Sequence, residues 1–400
     1  MDAPAVPPSP FAPAQLGPLT LRNRIIKAAT FEGVMPRGAV SDELIAFHTA
    51  VAKGGVGMTT VAYCAVSKGG RVSHHTLVFR DELISDLTRL TDAVHAAGAA
   101  ISAQLGHAGL VSAAHSKRHP TMAPSSRLSA PAMGWVKAAT RAQLDDVVRD
   151  FENAARVAEA SGFDAIEIHL GHNYLLSSFL SPNLNRRRDE LGGSIENRSA
   201  FPRRVIEAVR KVVDGRLAVI AKFNMADGVP GGLWLDESLP IALLLEADGH
   251  LDALELTGGS SVLNGMYFFR GDVPMKEFAA TQAPLVGLGL RVFGRRIFPK
   301  YPFEEAFFLP FARQFRDALQ MPLVLLGGIN ELATIEAALA EGFDFVAMAR
   351  ALLREPDLVN TMAEGHRTGS LCVHCNKCLP TIYSGTRCVL VPEPAAAASS

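Results

Sequence analysis

Three side chains capable of acid–base and hydrogen-bond chemistry follow one buried segment of the chain. The segment Ala165–Ile168 is apolar and rich in β-branched residues, which predicts a buried strand. His169, His172 and Tyr174 come directly after it. Two imidazole N–H groups aimed at one oxygen could polarise a carbonyl group, and a tyrosine, with an ordinary pKa of about 10, could donate a proton. None of these groups carries a hydride, so a redox reaction here requires a cofactor.

Polar residues at the ends of other strand-like segments could bind such a cofactor. Gln104 offers an amide that both donates and accepts hydrogen bonds, which suits the pyrimidine edge of a flavin. Lys222 could stabilise a negatively charged reduced flavin. Gly327 and Gly328 let backbone N–H groups approach a phosphate, and Arg350 offers a bidentate charged partner for it. The alternative is structural: the glycines form a turn, and the other residues are ordinary strand ends.

The composition favours a small-molecule substrate. The 39 basic and 40 acidic residues nearly cancel, so the chain has no net charge that would attract nucleic acid or an anionic membrane. No run of 18 apolar residues is present, and the opening MDAPAVPPSP lacks the basic start and apolar block of a signal peptide. We therefore expect the chain to stay in the cytoplasm. The sequence does not define an oligomeric state, and a homo-oligomer is compatible with it.

Strand-like and helix-like patterns alternate along the chain. The predicted strands are Arg24–Ala29, Gly57–Val66, Ala99–Leu105, Ala165–Ile168, Leu217–Asn224, Ala253–Thr257, Pro322–Leu326 and Phe345–Met348. A helical pattern follows each of the first seven, including a long one over Phe303–Leu319, and this alternation predicts a parallel (β/α)8 barrel. A doubly wound sheet is the alternative, but no G-x-G-x-x-G turn follows the first strand. We expect residues 11–390 to form the barrel, with a flexible segment at 1–10 and a disordered tail at 391–400.

Several motifs in order resemble the Old Yellow Enzyme or NADH:flavin oxidoreductase family, from about Phe11 to about Leu390. The motifs are Leu19-x-x-Arg22-Asn23-Arg24, Gln104-x-x-His107-x-Gly109, His169-x-x-His172-x-Tyr174, Phe179-Leu180-Ser181-Pro182, Asn185-x-Arg187-x-Asp189, Gly192-Gly193-Ser194-x-Glu196-Asn197-Arg198 and Gly327-Gly328-Ile329. So many ordered matches indicate common descent. This chain departs from the family pattern at Phe31, because members of the family commonly have Thr or Cys at this position against the flavin.

The resemblance implies one non-covalently bound FMN, reduced by NADH or NADPH. Its isoalloxazine ring would lie against Ala28, Ala29, Thr30, Ala62, Gln104, His169 and Lys222, and its phosphate would be held by Gly327, Gly328, Ala349 and Arg350. The resemblance also implies catalytic roles for His169, His172 and Tyr174. His169 and His172 would bind a substrate carbonyl, and Tyr174 would protonate the alkene carbon opposite the hydride from flavin N5.

Four of the five cysteines lie close together near the carboxyl terminus, at Cys372, Cys375, Cys378 and Cys388. This segment resembles the one that binds a [4Fe–4S] cluster in the longer dienoyl-CoA reductase and trimethylamine dehydrogenase group of the family, although its last spacing is shorter. Three interpretations stay open: an iron–sulfur cluster, a zinc ion held by four thiolates, and ordinary reduced thiols.

The sequence as a whole predicts an FMN-dependent ene reductase that uses NADH or NADPH to reduce the C=C bond of α,β-unsaturated carbonyl compounds. One alternative is an amine or N-methyl dehydrogenase, or a dienoyl reductase, that carries an iron–sulfur cluster. Another is a non-catalytic flavin-binding protein, which would have no use for His169, His172 and Tyr174 together.

Overall fold

Eight parallel strands close into a barrel in the computed structural model, which describes residues 7–281, Leu288, Gly294 and 298–392. The strands are β1 (Ile25–Lys27), β2 (Met58–Ala65), β3 (Ala100–Gly106), β4 (Ala165–Leu170), β5 (Ala218–Asn224), β6 (Ala253–Thr257), β7 (Leu323–Leu326) and β8 (Phe345–Met348). Each pairs with the next, and β8 closes the ring against β1 through Val346 and Ile25. The predicted (β/α)8 barrel is confirmed, and the ends of its strands differ from the predicted ends by at most two residues.

Burial on both faces explains why these strands appear in the sequence as largely apolar runs. Every residue of β2, β4, β5, β6 and β8 is buried. The outward side chains pack against the surrounding helices, and the inward side chains fill the barrel interior. Burying a polar residue in these strands therefore costs free energy unless the residue has a hydrogen-bond or charged partner. The charged groups inside the barrel must accordingly be paired.

Helices surround the barrel. Those that follow the first seven strands are Asp42–Lys53, Ile84–Ala96, Arg141–Ala160, Ile195–Val213, Leu235–Asp248, Leu309–Ala318 and Leu332–Ala340, and β8 is followed by Arg350–Arg354 and Leu358–Ala363. The helix Arg141–Ala160 begins with a capping box, in which Thr140 Oγ1 accepts from the Gln143 N–H and Gln143 Oε1 accepts from the Thr140 N–H. This cap explains why the longest helix starts two residues before its predicted first residue.

The prediction of a helix over Phe303–Leu319 is wrong at its amino-terminal end. The helix begins at Leu309, with Pro310 in its first turn, a position that proline tolerates because the N–H it lacks would have no partner there. Before it, Ala306 adopts a positive φ of 50° and donates its N–H to the Gly328 carbonyl at 2.9 Å. This backbone contact with the loop after β7 replaces the first helical turns.

Several smaller elements were not predicted from the sequence. The hairpins Ala14–Leu16 with Leu19–Leu21 and Arg127–Ser129 with Gly134–Val136 lie outside the barrel sheet, and Leu77–Val78 pairs with the end of β2. Short helices cover Leu175–Leu180, Met266–Phe269 and Met275–Ala280.

Residues 1–6 and 393–400, which belong to the predicted flexible segment and tail, lie outside the described residues. Within the described ranges, no helix combines the length and apolarity that crossing a membrane requires.

Candidate active site

Most of the polar site residues predicted from the sequence converge at the carboxyl ends of β3, β4 and β5. Lys222 of β5 lies in register with His169 of β4 on one side and with Glu255 of β6 on the other. Gln104 of β3 lies in register with Glu167 of β4. Parallel strands bring these ends to one rim of the barrel, which is where enzymes of this architecture carry out chemistry.

His169, His172 and Tyr174 form one aromatic group at this rim. The ring of His169 stacks on Tyr174 with centroids 4.2 Å apart and meets His172 edge to face at 5.3 Å. His169 Nδ1 accepts the Gly171 N–H at 3.2 Å. The neutral His169 ring therefore carries its hydrogen on Nε2, from which it can donate to a ligand.

Burial keeps all three side chains uncharged at neutral pH. Desolvation lowers the pKa of His169 well below its ordinary value, and the positive charge of Lys222 adds to this effect. The same causes lower the pKa of His172 to about 3. Burial also raises the pKa of Tyr174, so its phenol keeps its proton. The group thus offers neutral hydrogen-bond donors beside a protonated phenol, of which only the protonated phenol was expected from the sequence.

Thr257 and Phe268 fix the orientation of His172. The Thr257 hydroxyl lies 3.0 Å from His172 Nε2, and the Phe268 ring lies 4.4 Å from the imidazole ring. If the Thr257 hydroxyl donates to Nε2, then Nδ1 of His172 carries the hydrogen and can donate to a ligand. Neither residue was singled out individually in the sequence, although Phe268 belongs to the aromatic run Tyr267–Phe269.

A buried carboxylate, Asp227, holds the turn between β4 and Tyr174. His172 and Asn173 both adopt left-handed conformations, with φ of 57° and 58°, which cost energy in residues other than glycine. Asp227 accepts from the side chains of Asn173, Asn224 and Ser181 and from the Leu233 N–H, at 2.6 to 2.9 Å. Asn224 in turn accepts the His172 N–H at 3.2 Å. Sequence reasoning missed Asp227, whose only signal is an acid three residues beyond a strand end.

Lys222 is fully enclosed between two carboxylates. Its ammonium group lies 3.1 Å from Glu167 Oε1 and also pairs with Glu255 Oε1. Burial would lower the pKa of Lys222, but the two carboxylates raise it above its ordinary value, so the side chain stays charged. Burial raises the pKa of Glu255 to about 8. Gln104 donates its amide to the other carboxylate, Glu167.

The residues at this rim fit FMN. A buried amide and a buried ammonium on neighbouring strand ends match the polar edge of a flavin, and both are oriented by the same carboxylate, Glu167. Ala29, Ala62 and Phe31 pack in one apolar cluster with Tyr174, which provides a nonpolar surface for the ring. Ala28 is fixed through its N–H to the Met348 carbonyl, and Thr30 accepts a hydrogen bond from Lys27. The individual contacts to the cofactor stay predictions.

The residues predicted to hold the phosphate have structural partners of their own. Gly327 and Gly328 adopt φ of 113° and 78°, and a Cβ at either would lie 2.5 to 2.7 Å from the rings of Phe308 and Phe307. The close approach of these rings requires glycine. Arg350 donates to the Arg270 carbonyl and to the Asn376 side chain, and Ala349 precedes it at the end of β8. A role of these residues at a phosphate stays a prediction.

The four clustered cysteines line one small cavity together with Arg350 and Arg354. All five cysteines of the chain are described and are free thiols. Across the described ranges, no three His, Cys, Asp or Glu side chains meet closely enough to hold a single metal ion. A structural zinc site needs four donors at about 2.0–2.3 Å from one ion, so the zinc interpretation does not fit this arrangement. An iron–sulfur cluster bound by these four cysteines and ordinary reduced thiols both stay predictions.

Glu32 is a buried carboxyl that supports the backbone of Ala62. It accepts the Ala62 N–H at 3.0 Å and lies 3.5 Å from Lys27 and 3.7 Å from the His48 ring. Burial raises the pKa of Glu32 to about 8. No sequence pattern singled out Glu32, apart from its place after the first strand.

Glu32→Gln is expected to flatten the dependence of stability on pH. The folded protein holds the Glu32 proton up to about pH 8, whereas the unfolded chain releases it near its ordinary pKa of 4.5. The free energy of unfolding therefore falls as pH rises between these values, by up to about 1.4 kcal/mol per pH unit. Urea unfolding at pH 5, 6, 7 and 8 measures this slope, with exposed Glu82→Gln as the control. A variant with the wild-type slope would rule out the raised pKa.

A family model and several relatives match the chain. The model of the NADH:flavin oxidoreductase / NADH oxidase family matches residues 9–249. The chain is 69% identical over 383 residues, which are 96% of the chain and 95% of the relative, to the 4,4'-dithiodibutanoate disulfide reductase of Rhodococcus erythropolis. It is 32% identical over 350 residues, 86% of the chain and 91% of the relative, to the NADPH dehydrogenase of Geobacillus sp. strain WCH70.

A solved structure supports the fold. A 2-naphthoyl-CoA reductase in complex with 2-naphthoyl-CoA aligns with a TM-score of 0.81 and 22% identity over 96% of the chain, and the chain spans only 57% of that longer protein. The family match covers more than half of the chain and includes β1 to β5 and the turn after β4, and these segments contain His169, His172, Tyr174 and Lys222. The chain therefore belongs to the NADH:flavin oxidoreductase / NADH oxidase family and is a flavin-dependent oxidoreductase that uses FMN with NADH or NADPH.

Proposed function

We propose that this chain is an NAD(P)H-dependent reductase of small organic disulfides that carry carboxylate groups. The observation that carries the proposal is the 69% identity to a 4,4'-dithiodibutanoate disulfide reductase, which extends over nearly the full length of both chains. The reaction breaks one S–S bond, releases two thiols and oxidises one NAD(P)H to NAD(P)+, with one further proton taken from the medium.

The site supplies the proton that such a reaction needs. When FMN is bound, its N5 provides the hydride originally taken from NAD(P)H. Tyr174 remains protonated at neutral pH because it is buried, so it can donate to a departing thiolate. The neutral imidazoles of His169 and His172 can donate hydrogen bonds to the same departing sulfur as negative charge develops on it, while the other sulfur receives the hydride.

Reduction of an activated C=C bond is a second candidate, favoured by the same aromatic group. The edge-to-face rings of His169 and His172, 5.3 Å apart, offer N–H groups for a carbonyl oxygen. Tyr174, stacked at 4.2 Å on His169, stands beside them as a proton donor. This arrangement suits an enone as well as a disulfide, so the substrate must be decided by measurement.

Anaerobic turnover with each substrate class separates the two candidates. The purified FMN-loaded enzyme is mixed with NADPH or NADH and either 4,4'-dithiodibutanoate or 2-cyclohexenone, and the products are quantified by mass spectrometry. Disulfide reduction predicts two thiols per NAD(P)H and a kcat/KM for the disulfide at least tenfold above that for the enone. Saturated ketone formed at the higher kcat/KM, with no thiol released, would replace the disulfide proposal by the ene reductase.

A further inference from the structure

Two loops at the carboxyl rim of the barrel are basic although the whole chain is close to neutral. No Asp or Glu occurs between Val66 and Arg80, after β2, or anywhere from Ala93 to Leu144, a range that includes the loop after β3. The same loops contain Lys68, Arg71, Lys117 and Arg118, which we call the basic rim. Positive charge is thus concentrated on one part of the face that carries the candidate active site.

The two loops are joined by backbone hydrogen bonds. Ala108 N–H donates to the Gly70 carbonyl, and Ala113 N–H donates to the Val72 carbonyl, both at 2.8 Å. His119 lies between the charges of both loops: desolvation lowers its pKa, and Arg71, Lys68 and Arg118 lower it further. Lys68, Arg71 and Arg118 therefore lie close to one another, with Lys117 next to Arg118 in the chain, and this patch is assembled from segments about 50 residues apart.

The basic rim lacks acidic partners. In residues 7–281 and 298–392, no carboxylate oxygen lies within 4.0 Å of the charged nitrogens of Lys68, Arg71, Lys117 or Arg118. Arg71 directs its Nε to the Lys68 carbonyl at 2.9 Å, and the other three side chains are exposed. By contrast, many arginines on the outer helices are paired, such as Arg203 with Asp248 and Arg210 with Asp252. Unpaired cations gathered in one patch favour an anionic ligand.

Direct contacts connect the basic rim to the catalytic group. The Tyr63 hydroxyl donates to the Gly70 carbonyl at 3.0 Å, while the Tyr63 ring packs 5.1 Å from the ring of Tyr174. Val72, next to Arg71, packs in the same apolar cluster as Tyr174. A ligand whose reacting group touched Tyr174 would therefore pass over Val72 before reaching the basic rim.

We propose that Lys68, Arg71, Lys117 and Arg118 bind the anionic end of the molecule whose reacting end lies at His169 and Tyr174. The inference rests on the proposed function, in which each sulfur of the substrate carries a short chain that ends in a carboxylate. A phosphate of the nicotinamide nucleotide has the same chemistry at the rim, and the experiment distinguishes these two sources. The basic rim would act on affinity and leave the bond-breaking step to the catalytic group.

Calorimetric binding to the oxidised, FMN-loaded enzyme tests the basic rim without turnover. The ligands are 4,4'-dithiodibutanoate and its uncharged dimethyl ester, and the variants are Arg71→Gln and the double variant Lys117→Glu with Arg118→Glu. The matched control is the double variant Arg149→Glu with Arg156→Glu, which makes the same charge change on the exposed face of the helix Arg141–Ala160. Anaerobic stopped-flow reduction of the flavin by NADPH and by NADH gives the apparent Kd of each nucleotide.

The expected result is a loss of dianion affinity by about tenfold in the rim variants, with affinity for the ester unchanged and the control within twofold of wild type. A loss confined to the apparent Kd of the nucleotides would support the rim with phosphate as its ligand. Unchanged affinity for both the dianion and the nucleotides would overturn the inference. Because binding is measured without reductant, an enzyme that binds the dianion but forms no thiol would refute only the proposed function.

Discussion

Tyr174→Phe is expected to slow substrate reduction by about 10²- to 10⁴-fold, the usual contribution of a positioned proton donor. Flavin reduction by NAD(P)H should stay within about twofold of wild type, because hydride transfer to the flavin uses no proton from the phenol. The phenylalanine ring keeps the stacking on His169 at 4.2 Å, so the change removes only the hydroxyl. Anaerobic stopped-flow absorbance follows each half-reaction separately, first with NADPH and then with the disulfide or enone.

A second tyrosine provides the control for this measurement. Tyr301 places its hydroxyl 2.8 Å from the Asn264 side chain, which donates to it, and packs on Arg270 away from the two histidines. Tyr301→Phe therefore removes a hydroxyl of the same kind, and both half-reactions should remain near wild-type rates. If Tyr174→Phe slowed both half-reactions equally, Tyr174 would be needed for cofactor geometry instead of proton donation.

Lys222→Met is expected to lower the free energy of unfolding by about 3–5 kcal/mol, the usual cost of removing one partner from a buried ion pair. The variant would leave Glu167 and Glu255 buried without a cation. The loss should be larger at pH 8.5 than at pH 5.5, because the pKa of Glu255 is already about 8 with Lys222 present and protonation removes the uncompensated charge. Denaturant unfolding at both pH values, in saturating FMN, measures the difference.

Two companion variants make the Lys222 result specific. Adding Glu255→Gln to Lys222→Met removes one of the orphaned carboxylates, so it should restore part of the lost stability at high pH. Lys211→Met removes an exposed lysine that pairs with Glu207 on a surface helix, and its effect should stay within about 0.5 kcal/mol. If Lys222→Met lowered the free energy of unfolding equally at both pH values, and Glu255→Gln did not restore any of it, the result would argue against ion pairing of Lys222 with Glu167 and Glu255.

The barrel and the place of its chemistry could be predicted from the sequence. The strands are buried on both faces, so each appears as a largely apolar run, and the bounds of all eight were located to within two residues. Parallel strands must present their carboxyl ends together, which is why His169, Gln104 and Lys222 could be assigned to one rim before their geometry was known. Local patterns carry this information because burial and chain direction are local properties.

The partners of those residues depended on contacts between distant segments. Asp227 holds the His172–Asn173 turn from 54 residues away, and Lys222 pairs with Glu255 across 33 residues. The basic rim arises only where the loops after β2 and β3 meet. Sequence spacing does not encode such approaches, since they depend on how the barrel closes and on how its loops fold over the rim.

The sequence by itself therefore determined the fold and the class of flavin-dependent oxidoreductase, and it predicted His169, His172 and Tyr174 as hydrogen-bond and proton donors. Only the tertiary structure decided that His169 and His172 are neutral, that Lys222 stays charged between two carboxylates, and that the four cysteines do not converge on one zinc ion. The physical reason is that protonation states and ligand sets depend on desolvation and on distances of a few ångströms, and both are fixed when separate segments pack together.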